Sequence, residues 1–167
     1  DLMLKAKGER WLLRGAPASK LETGWPSAGV CIAVRNHINL GLPPGWQHDI
    51  SPHASPGRVC AAWIEVLIRG GLLVMSIYLW DSEQLTPRNR ELLEQAGEFA
   101  KKFGGPWLLA GDFNMPPETL ESEAGCWLGA AGAVIVKPEG ITCRSAGGGR
   151  VIDYCVLDGR LSGAVQS

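Results

Sequence analysis

The longest apolar segment of the chain, from Val59 to Trp80, restricts the fold more than any other stretch. It has the length of a membrane-spanning helix, but Glu65, Arg69 and the glycine pair Gly70-Gly71 interrupt it in the middle. The segment therefore predicts two strands joined by a turn at the glycines, which is a β-hairpin and not a membrane span.

A helix is predicted directly after this hairpin. Thr86 is a favourable N-cap and Pro87 a favourable first helical residue. Apolar residues then recur at helical spacing between Leu92 and Phe103, and Gly104 ends the pattern.

The remaining segments complete an α+β pattern. We predict strands in "WLLRGAPA", "AGVCIAVRN", "LLAGD", "AVIV", "ITC" and "VIDYCVL", the tail of a helix in residues 1–10, a short helix in residues 118–128, and loops in residues 37–57 and in "SAGGGR". Because hairpins are mixed with helices and do not alternate as βαβ units, we expect two packed, mainly antiparallel sheets flanked by helices.

Length and composition indicate one globular domain over residues 1–167. The chain has 167 residues, 46% of them apolar and 20% charged, with a formal net charge of −1. It has no basic run, so it lacks the charge pattern of a strong non-specific nucleic-acid binder. An enzyme that meets phosphate locally, through a metal, is compatible with this balance.

Five cysteines form no CxxC pair and no zinc-type spacing. Cys31, Cys60 and Cys155 lie in apolar runs and are expected to be buried and reduced. We therefore expect an intracellular, reducing location, nuclear or cytoplasmic. All three histidines fall in the loop of residues 37–57, and their spacing matches no common metal-ligand pattern, which favours an exposed loop over a metal site.

Asp112 and Asn114 follow the apolar strand "LLAG" and precede the strand-breaking pair Pro116-Pro117. Because side chains at i and i+2 of a strand share a face, we predict that Asp112 and Asn114 point the same way while Phe113 turns to the opposite face. A carboxylate beside a carboxamide at a strand end can bind a metal or a water and hold a phosphate oxygen. The same pair is also common in turns, and spacing alone favours the turn.

Two further polar residues lie in apolar strands. Asp153 interrupts "VIDYCVL", where a buried carboxylate needs an ion pair, for instance with Arg150, or a role in orienting a histidine or a metal-bound group. Tyr78 ends an apolar strand just before Asp81, so its hydroxyl either reaches a site at that end of the sheet or is simply half-buried.

Taken together, "GDFN" after an apolar strand, "IDY", "SIYL", the strand "AGVCIAV" and a helix before the GDFN strand resemble the endonuclease/exonuclease/phosphatase superfamily. This group holds AP endonucleases, deoxyribonuclease I-like nucleases, retroelement endonucleases and inositol polyphosphate 5-phosphatases. The long loop followed by "GRVCAAWIEV" is similar to the endonuclease domains of non-LTR retroelements. The resemblance implies a four-layer αββα sandwich.

The resemblance also implies roles for the four residues. Asp112 would activate or orient the attacking water, and it is the nearest candidate for a metal ligand. Asn114 would contact the scissile phosphate, Asp153 would support a catalytic histidine, and Tyr78 would line the phosphate pocket. In-line hydrolysis of a phosphodiester, with DNA the favoured substrate, needs a base, donors for the phosphate oxygens, and Mg²⁺ or Mn²⁺ to neutralise developing charge.

Two parts of the superfamily pattern have no match in this sequence. Glu9 and Glu22 do not lie in the context of the metal-binding glutamate, and no histidine follows Asp158. We therefore expect a partial domain, incomplete at both ends, that is weakly active or inactive. Two other functions stay open: a non-catalytic relic acting as a binding or structural module, and a phosphatase of lipid or inositol phosphates.

Overall fold

The computed structural model describes residues 2–5, 10–20, 24, 26–46, 57–65, 68–122, 132–145 and 148–164. Within them the strands are β1 (Leu2–Lys5), β2 (Trp11–Ala16), β3 (Ser19–Lys20), β4 (Pro26–Ser27), β5 (Val30–Arg35), β6 (Leu40–Gly41), β7 (Val59–Ile64), β8 (Leu72–Tyr78), β9 (Trp107–Asp112), β10 (Val134–Val136), β11 (Cys143–Ser145), β12 (Gly148–Arg150) and β13 (Asp153–Leu157). The helices are α1 (Pro87–Phe103), α2 (Pro117–Glu121) and a 3₁₀ helix (Gly159–Ala164).

Six strands form the large sheet, in the order β10-β13-β9-β8-β7-β6. Neighbours in this sheet are antiparallel except β8 and β9, which are parallel and are joined through α1. The mainly antiparallel α+β fold is thus confirmed, with one βαβ unit at its centre. A parallel pair needs a crossover connection, and α1 supplies it.

Each face of the large sheet has its own apolar core. Alternate residues of β8, such as Leu73 and Met75, face α1 and are fully buried with Leu92 and Leu93 of that helix. The other face packs against a smaller sheet, β1-β2-β5, whose inward residues include Ile32. This period-two alternation lets one sheet bury both faces.

The structure confirms the central elements and corrects four others, one of them the loop predicted for residues 37–57, which contains β6 and lies outside the described residues from 47 to 56. The β7–β8 hairpin and α1 lie where the sequence predicts them. Residues 1–10 are not the tail of a helix, because Leu2–Lys5 forms β1, and long-range pairing with β2 outweighs local propensity there. The predicted loop "SAGGGR" contributes β12, which pairs with β11, and the strand predicted at "ITC" is Cys143–Ser145. Beyond residue 122, the predicted helix of residues 118–128 lies outside the described residues.

The cysteines are less buried than the sequence predicts. Cys60 is buried between the sheets, but Cys31 is exposed because alternate residues of β5 face away from the core, and Cys155 is only partly buried. These thiols are free, while Cys126 lies outside the described residues. None of the helices formed by the described residues is long and apolar enough to cross a membrane.

Candidate functional site

Three of the four predicted site residues lie side by side at one end of the large sheet. The parallel register of β8 and β9 places Tyr78 opposite Asp112, and the antiparallel register of β9 and β13 places Asp112 opposite Asp153. Side chains that are directly opposite in neighbouring strands point to the same face of a sheet. We call these residues the Tyr78–Asp112–Asp153 row.

The Asp153 end of the row borders an open cleft of about 510 Å³ on the face of the sheet that is turned away from α1. Asp112 and Asp153 both line it, between β9, β13 and the segment that follows β10. Lys137 lies at the edge of the cleft, where its ammonium is 2.8 Å from Glu118 and 3.2 Å from Glu121 of α2. The cleft therefore presents carboxylates beside a cation that is already paired.

Gly111 allows β8 and β9 to approach closely just before the row. A Cβ atom at this position would collide with the backbone carbonyl of Ile77 in β8, and the residue has φ of 155°. Any side chain here would push the two strands apart. Glycine thus keeps Asp112 in register with Tyr78.

Asp112 and Asn114 form a hydrogen-bonded turn. The backbone N–H of Asn114 donates to Oδ1 of Asp112 at 2.9 Å, and Asn114 has a left-handed φ of 51°. The side-chain amide of Asn114 then donates to the carbonyl of Leu79 at 2.9 Å. The shared strand face predicted for the pair is wrong, because β9 ends at Asp112 and the alternation of faces ends with it.

The environment of Asp112 favours its protonated form. Burial is the largest cause that raises the pKa of this carboxyl group, and the neighbouring charges of Asp153 and Asp81 raise the pKa further. The hydrogen bond from Asn114 and the charge of Arg150 oppose this and lower the pKa. On balance the pKa of Asp112 is raised above its ordinary value, which suits a group that accepts a proton.

Asp153 is exposed, so the prediction of a buried carboxylate is wrong. Along β13 the residues that face α1 and α2, Tyr154 and Val156, are buried, and Asp153 belongs to the opposite, open face. Among the described residues it has no ion pair with Arg150. His37, the one histidine in the described part of the chain, is exposed in the turn after β5, and His48 and His53 lie outside that part.

Arg58, a buried arginine that holds the backbone at the edge of the site, is not identified by the sequence analysis. Its side chain is 3% exposed and donates to the carbonyls of Tyr78 and Leu79 at 3.1 and 3.4 Å, and to the hydroxyl of Ser27 at 2.7 Å. An arginine placed directly before a buried strand needs such partners. That signal was present in the sequence, but it does not tell which carbonyls accept the bonds.

The donor set suits a magnesium ion that is shared with a substrate. Among the described residues, no three His, Cys, Asp or Glu side chains lie close enough together to hold a metal ion on their own. Magnesium, however, is commonly held by one or two carboxylates together with waters and phosphate oxygens. Asp112 and Asp153, adjacent across β9 and β13, could form this smaller set.

The chain belongs to the Endonuclease/Exonuclease/phosphatase family, whose model matches residues 4–166. No curated protein sequence matches it. Among solved structures, the fold is similar to the endonuclease domain of TRAS1, a telomere-specific non-LTR retrotransposon, with 15% identity and a TM-score of 0.59, over 89% of this chain and 68% of that one.

Two further solved structures have the same fold. The human Nocturnin catalytic domain is 13% identical with a TM-score of 0.59, over 89% of this chain and 61% of that one. The 3′ phosphatase NExo from Neisseria, bound to product DNA hairpin, is 19% identical with a TM-score of 0.52, over 97% of this chain and 75% of that one. The chain thus spans between three fifths and three quarters of the chains in these structures.

Proposed function

We propose that this chain hydrolyses phosphodiester bonds with the help of Mg²⁺ or Mn²⁺, and that DNA is its preferred substrate. The observation that carries the proposal is the Tyr78–Asp112–Asp153 row, in which two carboxylates that line one open cleft are adjacent in register to a tyrosine. Membership of the Endonuclease/Exonuclease/phosphatase family supports phosphate-ester hydrolysis as the general reaction.

Asp112 is the proposed general base. One of its oxygens accepts the N–H of Asn114, which fixes the carboxylate and leaves the other oxygen to take a proton from an attacking water. A base acts best when its pKa lies closer to the working pH than that of an ordinary aspartate, and the raised pKa of Asp112 has this direction.

Tyr78 and Asn114 are the proposed donors to the phosphate. Tyr78 pairs with Asp112 in the register of β8 and β9, and its phenol would donate to a non-bridging oxygen as the charge on that oxygen increases. The side-chain amide of Asn114 donates one N–H to the carbonyl of Leu79, and the residue is 9% exposed. Only the second N–H of the amide is therefore available to a substrate. We expect Tyr78 to contribute more to the rate than Asn114 does.

Asp153 would hold the divalent cation together with waters and phosphate oxygens, with Asp112 as the second carboxylate beside it, and the cation when bound would neutralise charge on the phosphate. Because two carboxylates are fewer than a self-sufficient site requires, we expect weak metal binding and slow turnover by the chain. Asp153, exposed beside Asp112, would contribute mainly to metal affinity.

The preference for DNA is supported by the similar solved structures. NExo is described with product DNA hairpin, and TDP2 from D. rerio with single strand DNA product. The similarity to TRAS1 supports a retroelement-type endonuclease as the finer proposal. These similarities, between 13% and 19% identity, are evidence of fold, so the substrate requires a direct test.

That test offers the purified chain a DNA oligonucleotide, an inositol polyphosphate and a phosphorylated lipid in parallel, each with Mg²⁺, with Mn²⁺ and with chelator. The proposal expects metal-dependent cleavage of the oligonucleotide that exceeds phosphate release from the other two. Faster phosphate release from the inositol or lipid substrate would contradict the preference for DNA, and no metal-dependent hydrolysis of any substrate would favour the non-catalytic module.

A further inference from the structure

Trp80 lies between two guanidinium groups at the rim of the site. The central carbon of Arg58 is 3.3 Å from the centre of the Trp80 ring, and that of Arg88 is 4.0 Å from it. A guanidinium at 3.3 Å fills one face of the ring, so the second one lies on the other face. We call this arrangement the Arg58–Trp80–Arg88 stack.

The inner end of the stack is joined to the Tyr78–Asp112–Asp153 row. The guanidinium of Arg58 is also 5.0 Å from the centre of the Tyr78 ring, and it donates to the carbonyl of Tyr78. Trp80 is fixed as well, because the fully buried side chain of Asn89 bonds its backbone N–H at 2.8 Å and its carbonyl at 3.1 Å. The stack therefore has a set position relative to Asp112.

The outer end of the stack is open to solvent. The side chain of Arg88 is 58% exposed, and its ionic partner among the described residues is Glu83, at 3.1 Å. The hydroxyl of Thr86 donates to the second carboxylate oxygen of Glu83, which holds that carboxylate in place. The guanidinium is thus kept against Trp80 with its other side available to a ligand.

We propose that Arg88, supported by Trp80, stacks on an unpaired nucleobase next to the phosphate that is hydrolysed. This rests on the proposed function and specifies its substrate class as single-stranded or locally unpaired nucleic acid. Nucleobases stack on guanidinium planes and aromatic rings whatever their sequence, whereas an inositol phosphate offers no planar face.

The charge of the whole chain supports a local contact of this kind. With a formal net charge of −1 and no basic run, the protein has no broad electrostatic attraction for a polyanion. Binding must then come from specific contacts near the site. The Arg58–Trp80–Arg88 stack supplies planar surface and positive charge at one such place.

The test measures binding without turnover. A fluorescent single-stranded oligodeoxynucleotide and an abasic strand of equal length, with the same sugar-phosphate backbone, are titrated with the chain in chelator, and anisotropy gives both affinities. We expect Arg88→Ala to weaken binding of the oligonucleotide about tenfold or more and to change binding of the abasic strand much less. Arg88→Lys should weaken binding of the oligonucleotide similarly, because an ammonium group has no plane on which a base can stack.

Arg69→Ala is the matched control. Arg69 is an exposed arginine in the turn before β8, at the end of that strand remote from Tyr78. Its replacement by alanine therefore removes the same charge as Arg88→Ala, but at a distance from the stack. Oligonucleotide affinity that is unchanged in Arg88→Lys, or lost equally for both strands in Arg88→Ala, would overturn the proposal, as would a wild-type chain that does not bind the oligonucleotide. A chain that passes this test and hydrolyses nothing would contradict only the proposed function.

Discussion

The side-chain amide of Asn114 donates a hydrogen bond of 2.9 Å to the backbone carbonyl of Leu79, 35 residues earlier in the chain. The N–H of Leu79 in turn donates to the carbonyl of Asp112 at 2.9 Å. These two bonds join the end of β9 to the residue that follows β8. They hold Asp112 beside Tyr78 at the point where the pairing of β8 and β9 ends.

Asn114→Ala should therefore destabilise the protein by about 2 kcal/mol, because it removes a bond to a buried carbonyl and places alanine at a left-handed φ. Asn114→Gly loses the same bond without the backbone strain, so we expect a smaller loss. Urea unfolding of the two variants separates the contributions. Equal stability of both variants and the wild type would show that this bond does not support the site.

Gly111→Ala should destabilise the protein by about 3 kcal/mol, since the new methyl group meets the backbone carbonyl of Ile77, which cannot move without loosening β8 from β9. Gly41→Ala in β6 is the matched control, because a Cβ there meets nothing within 4 Å. Thermal unfolding compares the two. A Gly111→Ala variant as stable as Gly41→Ala would mean that the close approach of the strands is not required.

Asp112→Asn should make the folded protein more stable at neutral pH. The pKa of Asp112 is raised, chiefly by burial, so ionisation of this carboxyl group lowers the free energy of unfolding. The contribution of the group to stability is fully present below the unfolded pKa of about 3.9 and is lost as pH rises through the higher native pKa. Asparagine keeps the acceptor for Asn114 and carries no charge.

Urea unfolding at pH 7 and near pH 4 measures this difference. The advantage of Asp112→Asn should be present at pH 7 and shrink at the acidic pH, where aspartate is also largely neutral. A variant that is less stable than wild type at pH 7, or one whose advantage is the same at both pH values, would contradict the environment assigned to Asp112.

The local patterns of the sequence were enough to predict much of this fold. The Gly70-Gly71 turn and the apolar runs on either side predict β7 and β8, and helical spacing with Pro87 and Gly104 predicts α1. These signals lie within a few residues of the elements that they define. Pairing between distant segments leaves no such signal, which is why the sequence predicts a helix where Leu2–Lys5 forms a strand.

The site residues were recognisable as types, but their arrangement was not. Asp112, Asp153 and Tyr78 stand out as polar groups at the ends of apolar strands, yet their alignment depends on two registers between distant strands. The exposure of Asp153 depends on which face of β13 other elements cover. The turn at Asn114 begins where β9 ends, and the hydrogen bond from the N–H of Leu79 to the carbonyl of Asp112 fixes that end of the strand.

We propose that the Tyr78–Asp112–Asp153 row is a hydrolytic centre. The most direct measurement compares Mg²⁺-dependent hydrolysis of bis(para-nitrophenyl) phosphate by the wild type, Asp112→Asn, and the control Glu98→Gln, an exposed residue of α1 on the opposite side of the large sheet. We expect slow, metal-dependent turnover by the wild type and by Glu98→Gln, and a loss of about 10²- to 10⁴-fold in folded Asp112→Asn. Hydrolysis by Asp112→Asn at the wild-type rate would contradict the claim.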